Sequence, residues 1–170
     1  FPFAAVLNRK ERDLFDEDVR VPALSLPEVL AHQAAGAVVL DARPASEFAA
    51  GHLRHSVNVG LGGRFAEYAG EVMTPGTPIV VVCPPGHEPE AKVRLARIGF
   101  DNVVGALADP LRVFHEHPEH VEAASRLSAD AVAECMRAVD GLVLVDVRNP
   151  GEVALGTLPG ARHMSLPALL

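Results

Sequence analysis

Short apolar runs alternate with amphipathic stretches along most of the chain. Val38-Val39-Leu40-Asp41 is a compact apolar run bounded by turn formers, the pattern of a strand covered on both faces of a parallel sheet. Ser56 to Val59, Ile79 to Val82 and Val103 to Val104 repeat it. Between these runs the period lengthens. Ser25-Leu26-Pro27-Glu28 supplies an N-cap, a first-turn proline and an acid near N3, predicting a short helix that stops at Gly36. Glu88 to Ile98 places Ala91, Val93, Leu95, Ala96 and Ile98 at helical spacing, with Gly99 set to end it. Alternating strand and helix predicts an α/β fold, a parallel sheet with helices on both faces.

A polar stretch from His115 to Ser125 interrupts this pattern, and a new helix is expected from Ser128, with Asp130 in its first turn. It leads into a second apolar strand, Leu142-Val143-Leu144-Val145-Asp146. The two halves then match in register. Asp41, Arg43, Glu47, Gly51, Leu53 and Leu61 each recur 105 positions downstream, as Asp146, Arg148, Glu152, Gly156, Leu158 and Leu166. So long a period predicts tandem domains rather than a solenoid. The expected division is an arm from an upstream domain over residues 1–23, a first domain over 24–118, a linker over 119–125 and the N-terminal part of a second copy over 126–170.

Asp41-Ala42-Arg43, then Glu47-Phe48, then Gly51-His52-Leu53 resembles the opening signature of rhodanese homology domains, D-x-R-x-x-x-E-[FWY]-x-x-G-H-[IL]-x-G-[AS]. Asp146-Val147-Arg148 through Gly160-Ala161 resembles its later part more closely. Val81-Val82-Cys83 before a glycine-containing loop, and the Arg97-Ile98-Gly99-Phe100 helix end, extend the likeness. The first copy departs from the signature at Arg54 and His55, where Pro and Gly are usual, so that turn is expected to differ. Asp41 with Arg43, and Asp146 with Arg148, are suited to a local ion pair or to holding nearby backbone amides, a structural role. Glu47 and Glu152 belong to the same motif. His52 is replaced by Thr157 in the second copy, which favours a turn-stabilising hydrogen bond over proton transfer.

Cys83 is the candidate catalytic residue, because the resemblance implies that a thiolate at this place takes sulfane sulfur from a donor and passes it on as a persulfide. Such chemistry needs a depressed thiol pKa and converging N–H donors at a helix N-terminus. The loop Pro84-Pro85-Gly86-His87-Glu88-Pro89 is poorly built for it. Pro84, Pro85 and Pro89 have no N–H to give. Glu88 and Pro89 stand where active relatives place Arg and Ser or Thr, and Glu90 follows. Only His87 offers a cation. A cysteine phosphatase would need an arginine at Pro89 and is excluded. Two readings of Cys83 stay open: a packed or vestigial thiol, and a working sulfurtransferase nucleophile. Cys135 lies among Val132, Met136 and Val139 at helical spacing and reads as packing.

Composition narrows the partners. The 170 residues hold 49% apolar and 22% charged side chains, enough for a core and unlike a disordered chain. A net charge of −7, with Lys10 and Lys92 the only lysines, disfavours nucleic acid. No apolar run approaches the ~18 residues of a membrane span. Two cysteines without a C-x-x-C pair suit a reducing, cytoplasmic setting. His115, His117 and His120 match no closed metal site, and neither metal nor cofactor is expected. Phe1 in place of Met is read as a cut from something longer. The arm Pro2-Phe3-Ala4-Ala5-Val6-Leu7-Asn8-Arg9 before such units is similar to fusions of a metallo-β-lactamase-fold domain with rhodanese domains. That resemblance implies a partner domain upstream, a small sulfur-containing donor or acceptor, and a sulfur-metabolism setting. A homodimer is the other expected partnership, because an incomplete second unit leaves strand edges and apolar side chains uncovered.

Overall fold

A computed structural model describes residues 20–168. They fall into two compact units, the first ending at Ala124 and the second beginning at Ser125.

The first unit is built on five parallel strands: β1 (Ala23–Leu24), β2 (Val38–Asp41), β4 (Val57–Asn58), β5 (Ile79–Val82) and β6 (Val103–Leu107), in the order β1-β6-β5-β2-β4. The central pair holds its register throughout, from Val38 opposite Ile79 to Asp41 opposite Val82. Both central strands are apolar because both faces are covered. One face packs Leu40, Val81, Ile79 and Val103 against Phe65 and Ala69 of α3 (Phe65–Val72) and Ala91 and Leu95 of α4 (Glu88–Ala96). The other packs Val39, Val80 and Val82 against Leu26 and Val29 of α1 (Leu26–Ala34) and Val113 of α5 (Pro110–Glu116). Each fully buried Val, Leu or Phe here stabilises the fold by roughly 1.5–3 kcal/mol over an exposed one.

Local sequence sets the helix ends. Ser25 N–H donates to Glu28 Oε2 at 2.7 Å, the capping contact the S-x-x-E spacing calls for, and Gly36 leaves the helix with φ +93°. Gly105 in β6 is a packing necessity. A Cβ there would stand 2.6 Å from Leu24 Cδ1 and 2.9 Å from Pro22 O, so only glycine lets β1 lie alongside.

Two expected boundaries are corrected. Residues 20–23 are not arm: Ala23 pairs with Ala106, and Ala106 N–H donates to Pro22 O at 2.8 Å. A two-residue strand is too short to show a period. The remainder of the expected arm, residues 1–19, lies outside the described residues. Nor are residues 119–124 a linker. Val121–Glu122 forms β7, antiparallel to β3 (His52–Leu53), and Ala124 N–H donates to Ala49 O at 2.9 Å. The segment is polar because it needs only backbone donors and acceptors to close an edge, with Val121 alone turned onto Gly51.

Between β2 and β3 lies α2 (Ala45–Ala50), and the turn after β3 departs from expectation in an instructive way. His55 adopts φ +60°, in the left-handed region that glycine favours, while Gly160 in the second unit has φ +80°. The turn keeps its glycine geometry with histidine in it. His55→Gly is therefore expected to raise unfolding stability by up to ~1 kcal/mol, read from the denaturant midpoint.

The second unit holds α6 (Ala129–Ala138), capped where Ser128 Oγ accepts from Ala131 N–H at 3.2 Å, then β8 (Val145–Asp146), α7 (Pro150–Val153) and β9 (Arg162–His163). β8 and β9 pair in parallel. The strand expected over 142–146 is reduced to its last two residues, since a ladder extends only as far as its partner. Among the described residues of this unit none is buried, and Leu142, Val143, Leu155 and Leu158 are exposed.

Asp41 and Arg43 lie fully inside the first unit. Arg43 Nη2 donates to Asp41 Oδ2 at 2.6 Å and to Gly51 O at 2.8 Å, and Arg43 N–H donates to Asp41 Oδ1 at 3.0 Å. The guanidinium carbon also stands 4.8 Å from the centre of the Phe114 ring. Removing one member of a buried pair leaves the other charge uncompensated. Arg43→Met should cost about 3–5 kcal/mol in denaturant unfolding.

Candidate functional site

The parallel sheet brings the chain ends of β2, β4 and β5 to one edge, where crossover loops begin. Asp41 closes β2, and Asn58 at the end of β4 clamps the neighbouring turn by donating to Asp41 O at 2.8 Å and Arg43 O at 3.0 Å. Cys83 follows the last residue of β5 and is buried, with 2% of its surface exposed.

After the thiol, Pro84 O accepts from His87 N–H at 3.1 Å, and Gly86 has φ +83°. That is a tight turn with proline and glycine at its two centre positions. It consumes an amide. Of the six residues from Pro84 to Pro89, three are prolines and His87 is spent on the turn, which leaves only the N–H groups of Gly86 and Glu88. No hydrogen bond to Cys83 Sγ occurs among the described residues.

Electrostatics runs the same way. Burial foremost, and then the carboxylates of Glu88, Asp41 and Glu90, together push the Cys83 thiol up to about 12. A nucleophilic persulfide carrier needs the opposite shift. Glu88 and Glu90 occupy the first turn of α4, where they also suit the helix dipole.

Beside the loop is a cleft of about 550 Å³, lined by Ala42, Pro44, Gly60, Leu61, Gly62, Pro84, His87, Glu90 and Arg94. Cys83 itself is not among the lining residues. His87, the sequence's one candidate cation, is half-exposed and lies 3.3 Å from Glu90 through Nδ1. The sequence reading missed Arg94. It sits one turn beyond Glu90, a spacing that could have been noticed, and reaches the cleft from deeper in α4. Its guanidinium is already engaged: it donates to Leu61 O, to Gly63 O at 2.8 Å and to Glu90 Oε1 at 3.3 Å, and lies 5.2 Å from the centre of the Phe65 ring. The cleft therefore has a cation, but one committed to carbonyls.

The remaining motif residues make structural contacts. His52 is buried, bonds Phe48 O through Nδ1 at 2.8 Å and stacks on the Phe48 ring at 3.7 Å. Glu47 lies exposed in the first turn of α2. In the second unit Arg148 Nη2 donates to Asp146 Oδ2 at 2.6 Å and to Gly156 O at 2.8 Å, Thr157 Oγ1 donates to the same carboxylate at 2.7 Å, and Glu152 accepts from Asn149 N–H at 3.1 Å. Arg148 and Thr157 hold the Asp146 carboxyl well below the usual carboxylate range. Among the described residues no group of three or more His, Cys, Asp or Glu could hold a metal ion, and no helix is long and apolar enough to cross a membrane.

A five-stranded parallel sheet, helices on both faces and a cysteine loop between strand and helix define the first unit as an α/β domain. A family model for the rhodanese-like domain matches residues 25–115, and the chain belongs to that family. Two solved structures agree on the fold. The BH2092 protein of Bacillus halodurans is 17% identical, with a TM-score of 0.50 over 68% of this chain and 90% of that one. The Alr3790 protein of Anabaena sp. is 17% identical, with a TM-score of 0.50 over 67% and 89%. A thiosulfate sulfurtransferase from Pseudomonas aeruginosa is 25% identical, with a TM-score of 0.47 over 88% of this chain and 35% of that longer one. No curated protein matches the sequence.

The raised thiol pKa sets a pH dependence. A thiol whose pKa lies near 9 in the unfolded chain and about 12 in the folded one is protonated on both sides below pH 9. Above that the unfolded state sheds its proton first, so stability falls progressively from about pH 9 to about 12. Denaturant unfolding across that window should show the loss, and Cys83→Ala should flatten it.

Proposed function

We propose that this chain is a non-catalytic or weakly active rhodanese-like module of a sulfur-metabolism protein. The observation that carries the reading is the amide inventory after Cys83: three prolines and one turn-consumed N–H leave two donors where a sulfur anion needs a ring of them. Three carboxylates acting on a buried thiol support the same conclusion. Catalysis by differential stabilisation of a thiolate or persulfide has little to work with here.

The wider setting rests on sequence resemblance alone. A metallo-β-lactamase-fold domain upstream, and a small sulfur-containing donor or acceptor, are the partners that resemblance suggests. Residues 126–170 read as the opening of a second rhodanese-like unit, a reading supported by Arg148 making the same two bonds, at the same lengths, as Arg43. Its uncovered apolar residues also suit association with a second copy of the chain.

The alternative is a working sulfurtransferase with Cys83 as persulfide carrier, favoured only by the thiol's place between β5 and α4. Cyanide-dependent release of thiocyanate from thiosulfate separates the two. The expected result is a wild-type rate at or barely above that of Cys83→Ser. Rapid turnover that disappears in Cys83→Ser would establish the enzyme.

A further inference from the structure

The buried Cys83 does not line the cleft beside it, and one residue that does, Leu61, is held from both sides. Ala42 and Leu61 line the cleft and also belong to the buried apolar cluster that contains Cys83. Leu61 interrupts a run of glycines, Gly60, Gly62 and Gly63, the last with φ +60°. Such a segment has little stiffness of its own. What fixes it is external: Leu61 N–H donates to Ala42 O at 2.9 Å, while Leu61 O and Gly63 O accept from Arg94 across the cleft. Arg94 is in turn steadied by Phe65 beneath it and Glu90 beside it.

We propose that Leu61 is a plug over Cys83 and Arg94 is its latch, so that this one guanidinium decides whether a ligand in the cleft can reach the thiol. The forked group matters. Two carbonyls two residues apart are held by one planar donor set, which a lysine ammonium cannot span with the same geometry. With Arg94 released, the glycines permit Leu61 to swing out, and the cleft becomes continuous with the sulfur. The ligand class this opening admits is small and uncharged, because Glu90 remains at the rim and anion-holding amides are few. The inference holds whether or not Cys83 turns over thiosulfate, so its failure is separable from that of the proposed function.

The test uses the full chain carrying Cys135→Ser, which leaves Cys83 as its sole thiol. Iodoacetamide alkylation at pH 9 then reports access, the thiolate displacing iodide and its proton passing to buffer. Arg94→Met and Leu61→Ala are each expected to speed alkylation about tenfold or more, as loss of a charged hydrogen bond or of the plug lowers the cost of local opening. Arg94→Lys should fall between wild type and Arg94→Met. Val113→Ala, in the core on the opposite face, serves as the stability control and should leave the rate unchanged. Unaltered rates in both Arg94→Met and Leu61→Ala would overturn the proposal. So would equal acceleration in Val113→Ala at matched stability, since access would then follow general unfolding. Should Arg94→Met fail to fold, Arg94→Lys against wild type tests the latch and Leu61→Ala against Val113→Ala the plug, and an unaltered rate in either overturns the proposal.

Discussion

Pairing of β2 with β5 is the constraint on which the rest is built. Ala42 N–H donates to Val82 O at 2.7 Å as the last rung of that ladder. It fixes two chain exits side by side: one leads through Ala42 to the Asp41–Arg43 turn, the other directly into Cys83. A slip of one residue would move Val39 and Val80 from one core face to the other and carry the thiol with them. Because both strands are buried on both faces, such a slip is prohibitively costly, so the place of Cys83 is inherited from packing and owes nothing to chemistry.

That division explains why a scaffold can remain intact around a weak site. The Asp41–Arg43–Gly51 bonds, the Asn58 clamp and the His52–Phe48 stack all brace the turn after β2, and none of them requires the loop after β5 to bind anything. The Pro84–His87 turn, for its part, is complete in itself. Proline and glycine at its centre satisfy their own backbone preferences and close one hydrogen bond, giving a stable loop that points few donors outward. Local stability and anion binding compete for the same amides here, and the sequence has settled the competition in favour of the turn.

Sequence carried most of the scaffold. Fully apolar runs such as Ile79–Val82 state their own burial, and Ser25 with Glu28 marks a helix start by chemistry that acts over three residues. What stayed hidden depends on partners remote in sequence. β1 is two residues long and exists because Gly105 makes room for Leu24; β7 is polar and exists because β3 offers a free edge. The site was legible by the same rule. Proline content foretold the poverty of donors, a local property, whereas Arg94 escaped notice because its acceptors, Leu61 and Gly63, lie some thirty residues earlier. His55 was misjudged for a different reason: residue identity suggested a changed turn, but the flanking strands dictate the left-handed geometry and the histidine bears the strain.

One consequence joins scaffold to site. Asp41 cannot be dispensed with, since it anchors Arg43, yet its carboxylate is one of the charges that oppose ionisation of Cys83. In this chain the carboxylate that anchors Arg43 therefore also adds to the penalty on the thiolate. The penalty can be offset only from the loop, by amides aimed at the sulfur or by a cation beside it. In this chain only two loop amides remain, the cleft's guanidinium is bound to Leu61 and Gly63 carbonyls, and Glu88 and Glu90 add to the penalty instead of relieving it. Changing a single loop residue would leave the other terms in place. Recovering a reactive thiol would take several coordinated changes: fewer prolines, a cation in place of a carboxylate, and a freed guanidinium.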